Sequence, residues 1–143
     1  MRMQMKYNDR GFARSMKKVN KEVDQMLEDE IKVTGRDTAK AAKSFVPVNH
    51  NRLKPSIRAR NKDKTSIVGT DVQYAPYVEF GTGNKVNVPS ELSEYAMQFK
   101  GAGIRDVNTR SQPYLFPAFF INRKRLNDRT DKRMANIFRK NSR

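Results

Sequence analysis

The sequence predicts an α+β chain: a long helix on the N-terminal side, a small antiparallel sheet in the middle and a second, basic helix at the C-terminal end. Three observations carry this expectation. Apolar residues recur at helical spacing from Phe12 onward, short β-prone pieces divided by polar turns follow Pro55, and a second apolar pattern in a strongly basic setting follows Pro117. The length of 143 residues suits one core, since single domains commonly run to ~100 to 200 residues, and the expected domain is 1–143.

The polar and charged segment 1–11 is expected to be flexible. A helix is expected over 12–46, because Phe12, Met16, Val19, Val23 and Met26 fall at intervals of four, three, four and three, on one helical face. The stripe continues less regularly through Leu27, Ile31, Ala42 and Phe45, with Gly35 as a candidate kink. Lys17, Lys18, Lys21, Glu22, Glu28, Asp29 and Glu30 lie on the other faces and suit solvent. A Met-rich stripe of this kind reads as core rather than as a cofactor pocket.

Pro47 ends this helix, since proline disfavours helical geometry in the residue before it and donates no hydrogen bond. Residues 47–55 are then a turn. The pieces Ser56-Ile57-Arg58, Ser66-Ile67-Val68-Gly69 and Val72-Gln73-Tyr74 predict a β-meander within 53–83. The stretch 84–111 has no clear period and contains Pro89, Gly101 and Gly103, so it is expected to be a long loop that is either disordered or ordered only by a partner. Within it, Pro89-Ser90 suits the opening of a short helix around 91–99. The last helix is expected over 117–139, with Pro117 in its first turn and Phe119, Phe120, Leu126, Met134 and Ile137 as packing positions.

Hydrophobic residues make up 36% of the chain and the mean hydropathy is -0.88, enough for a modest core with much of the chain solvated or covered by partners. There is no cysteine, so disulfides and thiolate metal sites are excluded. No apolar run approaches the ~20 residues that span a bilayer, and no signal-peptide core is present, so a soluble protein made in the cytoplasm is expected.

Thirty Lys and Arg against fifteen Asp and Glu leave a net charge of +15. The surplus sits at the two ends: 15 basic and 7 acidic residues in 1–60, 6 and 6 in 61–111, and 9 and 2 in 112–143. A neutral middle flanked by basic arms suggests that the centre packs while the arms meet DNA or an acidic protein. The alternative is a solvated basic surface with no dedicated ligand. Arg123, Lys124, Arg125, Arg129 and Arg133 are the candidate contacts with DNA or an acidic partner.

The catalytic signatures fail one by one. Gly81-Thr82-Gly83 is followed by neither Gly-Lys-Ser/Thr nor the further glycine of a dinucleotide fingerprint. His50, the single histidine, stands between asparagines and makes neither a metal site nor a Ser-His or Cys-His pair. Glu28-Asp29-Glu30 occupy successive helical positions, which splays their side chains around the axis, and a helix face in water explains them. No enzyme, cofactor or metal is expected. A small basic ribonuclease or toxin would need an acid-base dyad that the chain lacks, and a free nucleic-acid-binding protein would explain the charge but not the run from Tyr74 to Gly83.

In that run, Pro76 suits a bulge or a short helical turn rather than a central strand, and Tyr74, Tyr77 and Phe80 supply large area for burial. Gly81 and Gly83 permit positive backbone angles where the chain leaves for the loop. Glu79 is expected either to pair with an arginine of its own or a neighbouring subunit, or to be a solvated edge carboxylate.

Four features in order carry a resemblance: the long N-terminal helix; Val46-Pro47-Val48 with Arg52-Leu53-Lys54-Pro55-Ser56-Ile57; Val68-Gly69-Thr70 with Tyr74-Ala75-Pro76-Tyr77-Val78-Glu79-Phe80-Gly81-Thr82-Gly83; and Gln112-Pro113-Tyr114-Leu115-Phe116-Pro117-Ala118 before the closing helix. Together they resemble the neck or tail-component family of long-tailed bacteriophages, typified by the gene-ten product of lambdoid siphophages. One departure is Asn49-His50-Asn51, where the family usually has a Thr-Gly turn. The resemblance implies an α+β fold with both long helices packed on a small antiparallel sheet. It also implies a structural virion protein of the neck that joins head to tail or completes the tail. Such a protein would form a hexameric ring between the head connector or stopper and the tail terminator or tail tube, with non-specific contact to packaged DNA and no membrane. Tyr74, Pro76, Tyr77, Glu79, Phe80, Gly81 and Gly83 are then the candidate family-motif and subunit-interface residues.

Overall fold

The structure, a computed structural model, describes residues 9–48, 52–82, 87–97 and 109–141. The apolar stripe yields one uninterrupted helix, α1 (Asp9–Phe45), followed by the short helix α2 (Leu53–Ser56), the strands β1 (Arg58–Lys62) and β2 (Thr65–Gly69), and the short helix α3 (Ala75–Phe80). A 3-10 turn (Ser90–Leu92) leads into α4 (Ser93–Met97), and the chain closes with α5 (Leu115–Asn141). The architecture is α+β and mostly helical, with two long helices and one small antiparallel sheet.

α1 begins at Asp9, so the helix takes in residues 9–11 of the segment expected to be flexible, while 1–8 lie outside the described residues. α5 is longer than expected at both ends. The turn at Asn49-His50-Asn51 also lies outside the described residues.

The sheet is a two-stranded hairpin rather than a meander. Arg58 pairs with Gly69, Ala59 with Val68, Arg60 with Ile67, Asn61 with Ser66 and Lys62 with Thr65, around a turn in which Asp63 takes a positive φ of 51°. The third strand does not form. Thr70 Oγ1 accepts the Val72 N–H at 3.1 Å, the Ala75 N–H reaches back to the Val72 carbonyl at 3.1 Å, and Pro76 then carries the chain into α3. Local turn bonds thus take the main-chain groups that a strand would have offered.

Gly35 does not kink α1. A Cβ placed there would stand 1.8 Å from Ser66 Oγ and 2.8 Å from Ser66 Cβ, so the glycine is where β2 presses onto the helix. The inner face of the hairpin, with Ala59, Asn61, Ser66 and Val68, lies on this side.

α1 and α5 pack lengthwise and antiparallel. Glu22 of α1 meets Lys140 and Asn141 of α5, Glu30 meets Arg129 and Arg133, and Ala39 and Ala42 share the core with Ala118. The core also takes Val46, Leu53, Ile57, Ala75, Val78 and Tyr114, so every element from α1 to α3 contributes to it or rests on it. α5 as described ends level with Glu22, which leaves the first turns of α1 projecting. Phe12, 60% exposed, and Met16 therefore stand outside the core despite their place in the stripe, whereas Val19 and Met26 are buried. On α5 the fully buried positions are Ala118 and Asn122, while Phe119 is 47% exposed. Small residues face α1 because the two helices approach closely there.

Gly35→Ala is expected to destabilise the fold by about 1–3 kcal/mol, because the hairpin must move off the helix, although alanine is the better helix former by ~1 kcal/mol. Adding Ser66→Gly should recover most of the loss, as read from urea unfolding of the two single variants and the double.

Candidate functional site

Two runs that are distant in sequence, Tyr74 to Thr82 and Gln112 to Ala118, form one joint. Pro76 lies in the first turn of α3, where its missing N–H costs nothing, and Tyr77 and Val78 donate N–H bonds to the Tyr74 carbonyl at 3.1 and 3.3 Å. Gly81 ends the turn with φ 80° and ψ -175°, a region open essentially to glycine alone, and its N–H reaches the Tyr77 carbonyl at 2.9 Å. This backbone geometry sends the chain alongside the second run. Gln112 N–H donates to the Val78 carbonyl at 2.8 Å, Thr82 N–H to the Thr109 carbonyl at 3.0 Å, and Thr109 N–H to Thr82 Oγ1 at 2.8 Å.

Glu79 stands at the centre of the joint, 4% exposed. Its Oε2 accepts the N–H groups of Tyr114 at 2.8 Å and Leu115 at 2.9 Å, and its Oε1 accepts that of Phe116 at 3.1 Å. These are among the first donors of α5, which have no partners inside their own helix. The carboxylate therefore caps the helix, and its charge opposes the positive end of the helix dipole. Glu79 is thus neither an edge carboxylate in water nor the partner of an arginine: its oxygens are engaged by main chain of its own subunit. A buried carboxylate is tolerated where it is fully hydrogen-bonded, and here three donors converge on it.

The aromatic residues around the cap divide. Phe80 is buried, with its ring 5.6 Å from that of Phe116, and the Tyr95 ring of α4 stands 5.8 Å from Phe116 nearly edge-on. Tyr74 is half-buried and Tyr77 exposed, so Tyr77 is the aromatic of the motif available to a neighbour. Burial pushes the Tyr114 hydroxyl well above the usual tyrosine range, and the nearby Glu79 charge adds to the effect. Gly83 lies outside the described residues.

The expected loop 84–111 is partly structured. Asn87 N–H bonds the Phe80 carbonyl at 2.9 Å, and α4 brings Tyr95 to Phe116, so the described part of this stretch makes contacts with its own chain.

The basic residues also divide. Arg123, Lys124 and Arg125 are exposed and form no ion pair among the described residues. Arg129 and Arg133 turn inward: Arg129 Nε donates to Glu30 Oε2 and Arg133 Nη1 to Glu30 Oε1, each at 2.7 Å, and Arg129 also donates to Thr34 Oγ1 at 2.8 Å. Asp37 completes the group 3.7 Å from Arg129. Glu30 is 5% exposed, so it is not on a solvated face. The arginine beside it, Arg133 first and Arg129 with it, holds its carboxyl below the ordinary value of 4.5 against the opposing pull of burial. The sequence signal for Glu30 was present: the interval from Met26 is four, so the stripe itself continues onto it. Arg129 and Arg133 lie seven and eleven residues after the buried Asn122, on the same side of α5.

Among the described residues no group of three or more His, Asp and Glu side chains could hold a metal ion, and no helix is long and apolar enough to cross a membrane. What the site does is join segments. A family model described as "Bacteriophage HK97-gp10, putative tail-component" matches residues 10–81, from the start of α1 through the hairpin to the glycine that ends α3. The fold and the joint thus fall within a class of phage structural proteins. The chain belongs to the HK97 gp10-like family of bacteriophage tail components. No curated protein and no solved structure matches it. The matched span includes Glu79 but stops short of the helix that Glu79 caps.

Glu79→Ala is expected to cost about 3–5 kcal/mol, since it strands buried N–H groups at the start of α5. Glu79→Gln, which keeps the shape and one acceptor oxygen, should cost less, and amide exchange of residues 114–116 would show the cap opening. For Glu30 the folded carboxyl titrates below the unfolded one, so its contribution is present above the ordinary value of 4.5 and is lost as pH falls through the folded value. The urea midpoint of the wild type should therefore fall more steeply below that pH than the midpoint of Glu30→Gln.

Proposed function

We propose that this tail-component protein acts in the phage neck, as a ring of six copies between the head connector or stopper and the tail terminator or tail tube. On this reading its work is binding: it seals the junction and joins a preassembled tail to a filled head. The observation that carries the reading is the family match over residues 10–81, which spans α1, the hairpin and α3. Two features support it. The carboxylates of the motif and of α1, Glu79 and Glu30, are engaged in holding helices, which suits a protein that bears load rather than one that turns over substrate. Tyr77 and Phe119 leave apolar surface in solvent at the two sides of the joint, and Arg123, Lys124 and Arg125 leave charge, as subunit contacts and an acidic partner or DNA require.

When one surface of a chain meets a different surface of its copy, the contact generates a ring if the rotation between copies closes. Cryo-electron microscopy of the particle should show six copies of the chain as a ring at the head-tail junction. A ring elsewhere along the tail would overturn the neck position while leaving the family intact. In solution, the assembled ring should run at about 100 kDa by light scattering, six times the chain mass of 16.6 kDa.

A further inference from the structure

We propose that the solvent face of the β1–β2 hairpin is a docking surface for the phosphate backbone of duplex DNA. β1 reads Arg58-Ala59-Arg60-Asn61-Lys62. Alternation along the strand puts Ala59 and Asn61 on the face that lies against α1, and Arg58, Arg60 and Lys62 on the other. The three cations therefore form a row with a step of ~6.6 to 7 Å, two residues of strand. All three are exposed, and none takes part in an ion pair among the described residues.

Arg123, Lys124 and Arg125 of α5 are likewise exposed and outside any ion pair, but they follow one another around a helix, whereas the strand sets its three cations in line. Lys64, two residues on, is held by Asp24 at 2.6 Å, and Arg129 and Arg133 are held by Glu30. Across the ribbon the row faces Gly69, Ile67 and Thr65, none of them acidic. Asp71 is the carboxylate at its border, beside Arg58 and Arg60 around a recess of about 210 Å³, and Asp63 sits in the turn at the far end. The platform is stiff: the inner face rests on α1 at Gly35, and a Ser56 Oγ to Thr70 Oγ1 bond of 2.6 Å closes the base of the hairpin.

The chemistry selects the partner. No aromatic side chain lies on this face, so it offers nothing on which the bases of a single strand would stack. Its side chains also lack the amides and carboxylates that read adenine and cytosine edges. What remains is a regular row of cations on a ribbon narrow enough to follow a duplex groove, which suits sequence-independent contact with phosphates. An acidic protein would have to place its carboxylates at the same step, whereas a duplex presents phosphates regularly along both strands. The inference does not depend on the level of the protein in the particle.

The test is fluorescence anisotropy of the full-length protein on a short duplex across a range of salt. The wild type is compared with the triple variant Arg58→Gln/Arg60→Gln/Lys62→Gln and with Arg123→Gln/Lys124→Gln/Arg125→Gln, which removes the same charge from α5. The hairpin variant should flatten the slope of log K against log salt by about 2.7, at ~0.9 for each phosphate no longer neutralised, and the α5 variant by less than about 1. Arg58→Lys/Arg60→Lys should keep the wild-type slope. Equal flattening by both triple variants would reduce the effect to net charge and overturn the inference. An unchanged slope in the hairpin variant, including one accompanied by lost binding to polyglutamate, would assign the row to protein and overturn it as well. Thermal melts check folding, and should the triple variant not fold, Arg60→Gln alone should still flatten the slope by about 0.9.

Discussion

A carboxylate that closes the start of a helix from another part of the chain is the constraint on which this fold turns. Without Glu79 the first donors of α5 would lose their acceptors, and the run from Gln112 to Ala118 would be left with the Gln112 to Val78 bond and the Phe80–Phe116 ring contact to hold it to the motif. Further along α5, Glu30 receives Arg129 and Arg133, and near its end Glu22 meets Lys140 and Asn141. Carboxylates from the first 79 residues thus engage the basic helix at its start, middle and end.

This arrangement sorts the charge. Glu22, Asp24, Glu30 and Asp37 all meet cations of other elements. These four acids lie at contacts between segments, and cations outside any ion pair among the described residues, on the hairpin face, on α1 and on the outer side of α5, are displayed outward. A net charge of +15 is a sum over the chain. The folded surface distributes it unevenly, because the carboxylates that pair do so mainly where α1 meets α5 and the hairpin.

Much of this was legible in the sequence. The 4-3-4-3 spacing announced α1, Pro47 its end, Pro76 the helical turn in the motif and Gly81 its positive φ. Local signals of this kind need no knowledge of what lies across the fold. The meander was not legible correctly, because Val72-Gln73-Tyr74 has strand composition while Thr70 and Pro76 impose turns on either side. The roles of Glu79, Glu30 and Arg129 depend on partners 35 to 103 residues away, so although the helical stripe places Glu30 on the inner face of α1, nothing nearby names the arginines that meet it. Gly35 reads as a kink for the same reason: the helix tolerates it, and only the arrival of Ser66 explains it.

The joint at Glu79 also has an unequal grammar. On one side it demands a particular side chain, a carboxylate at position 79; on the other it addresses only main-chain N–H groups, which every residue but proline carries. The segment being held can therefore change its side chains without changing how it is held. A lineage of such proteins has room to refit the surface of its last helix to new neighbours while the hinge pin that anchors that helix stays the same.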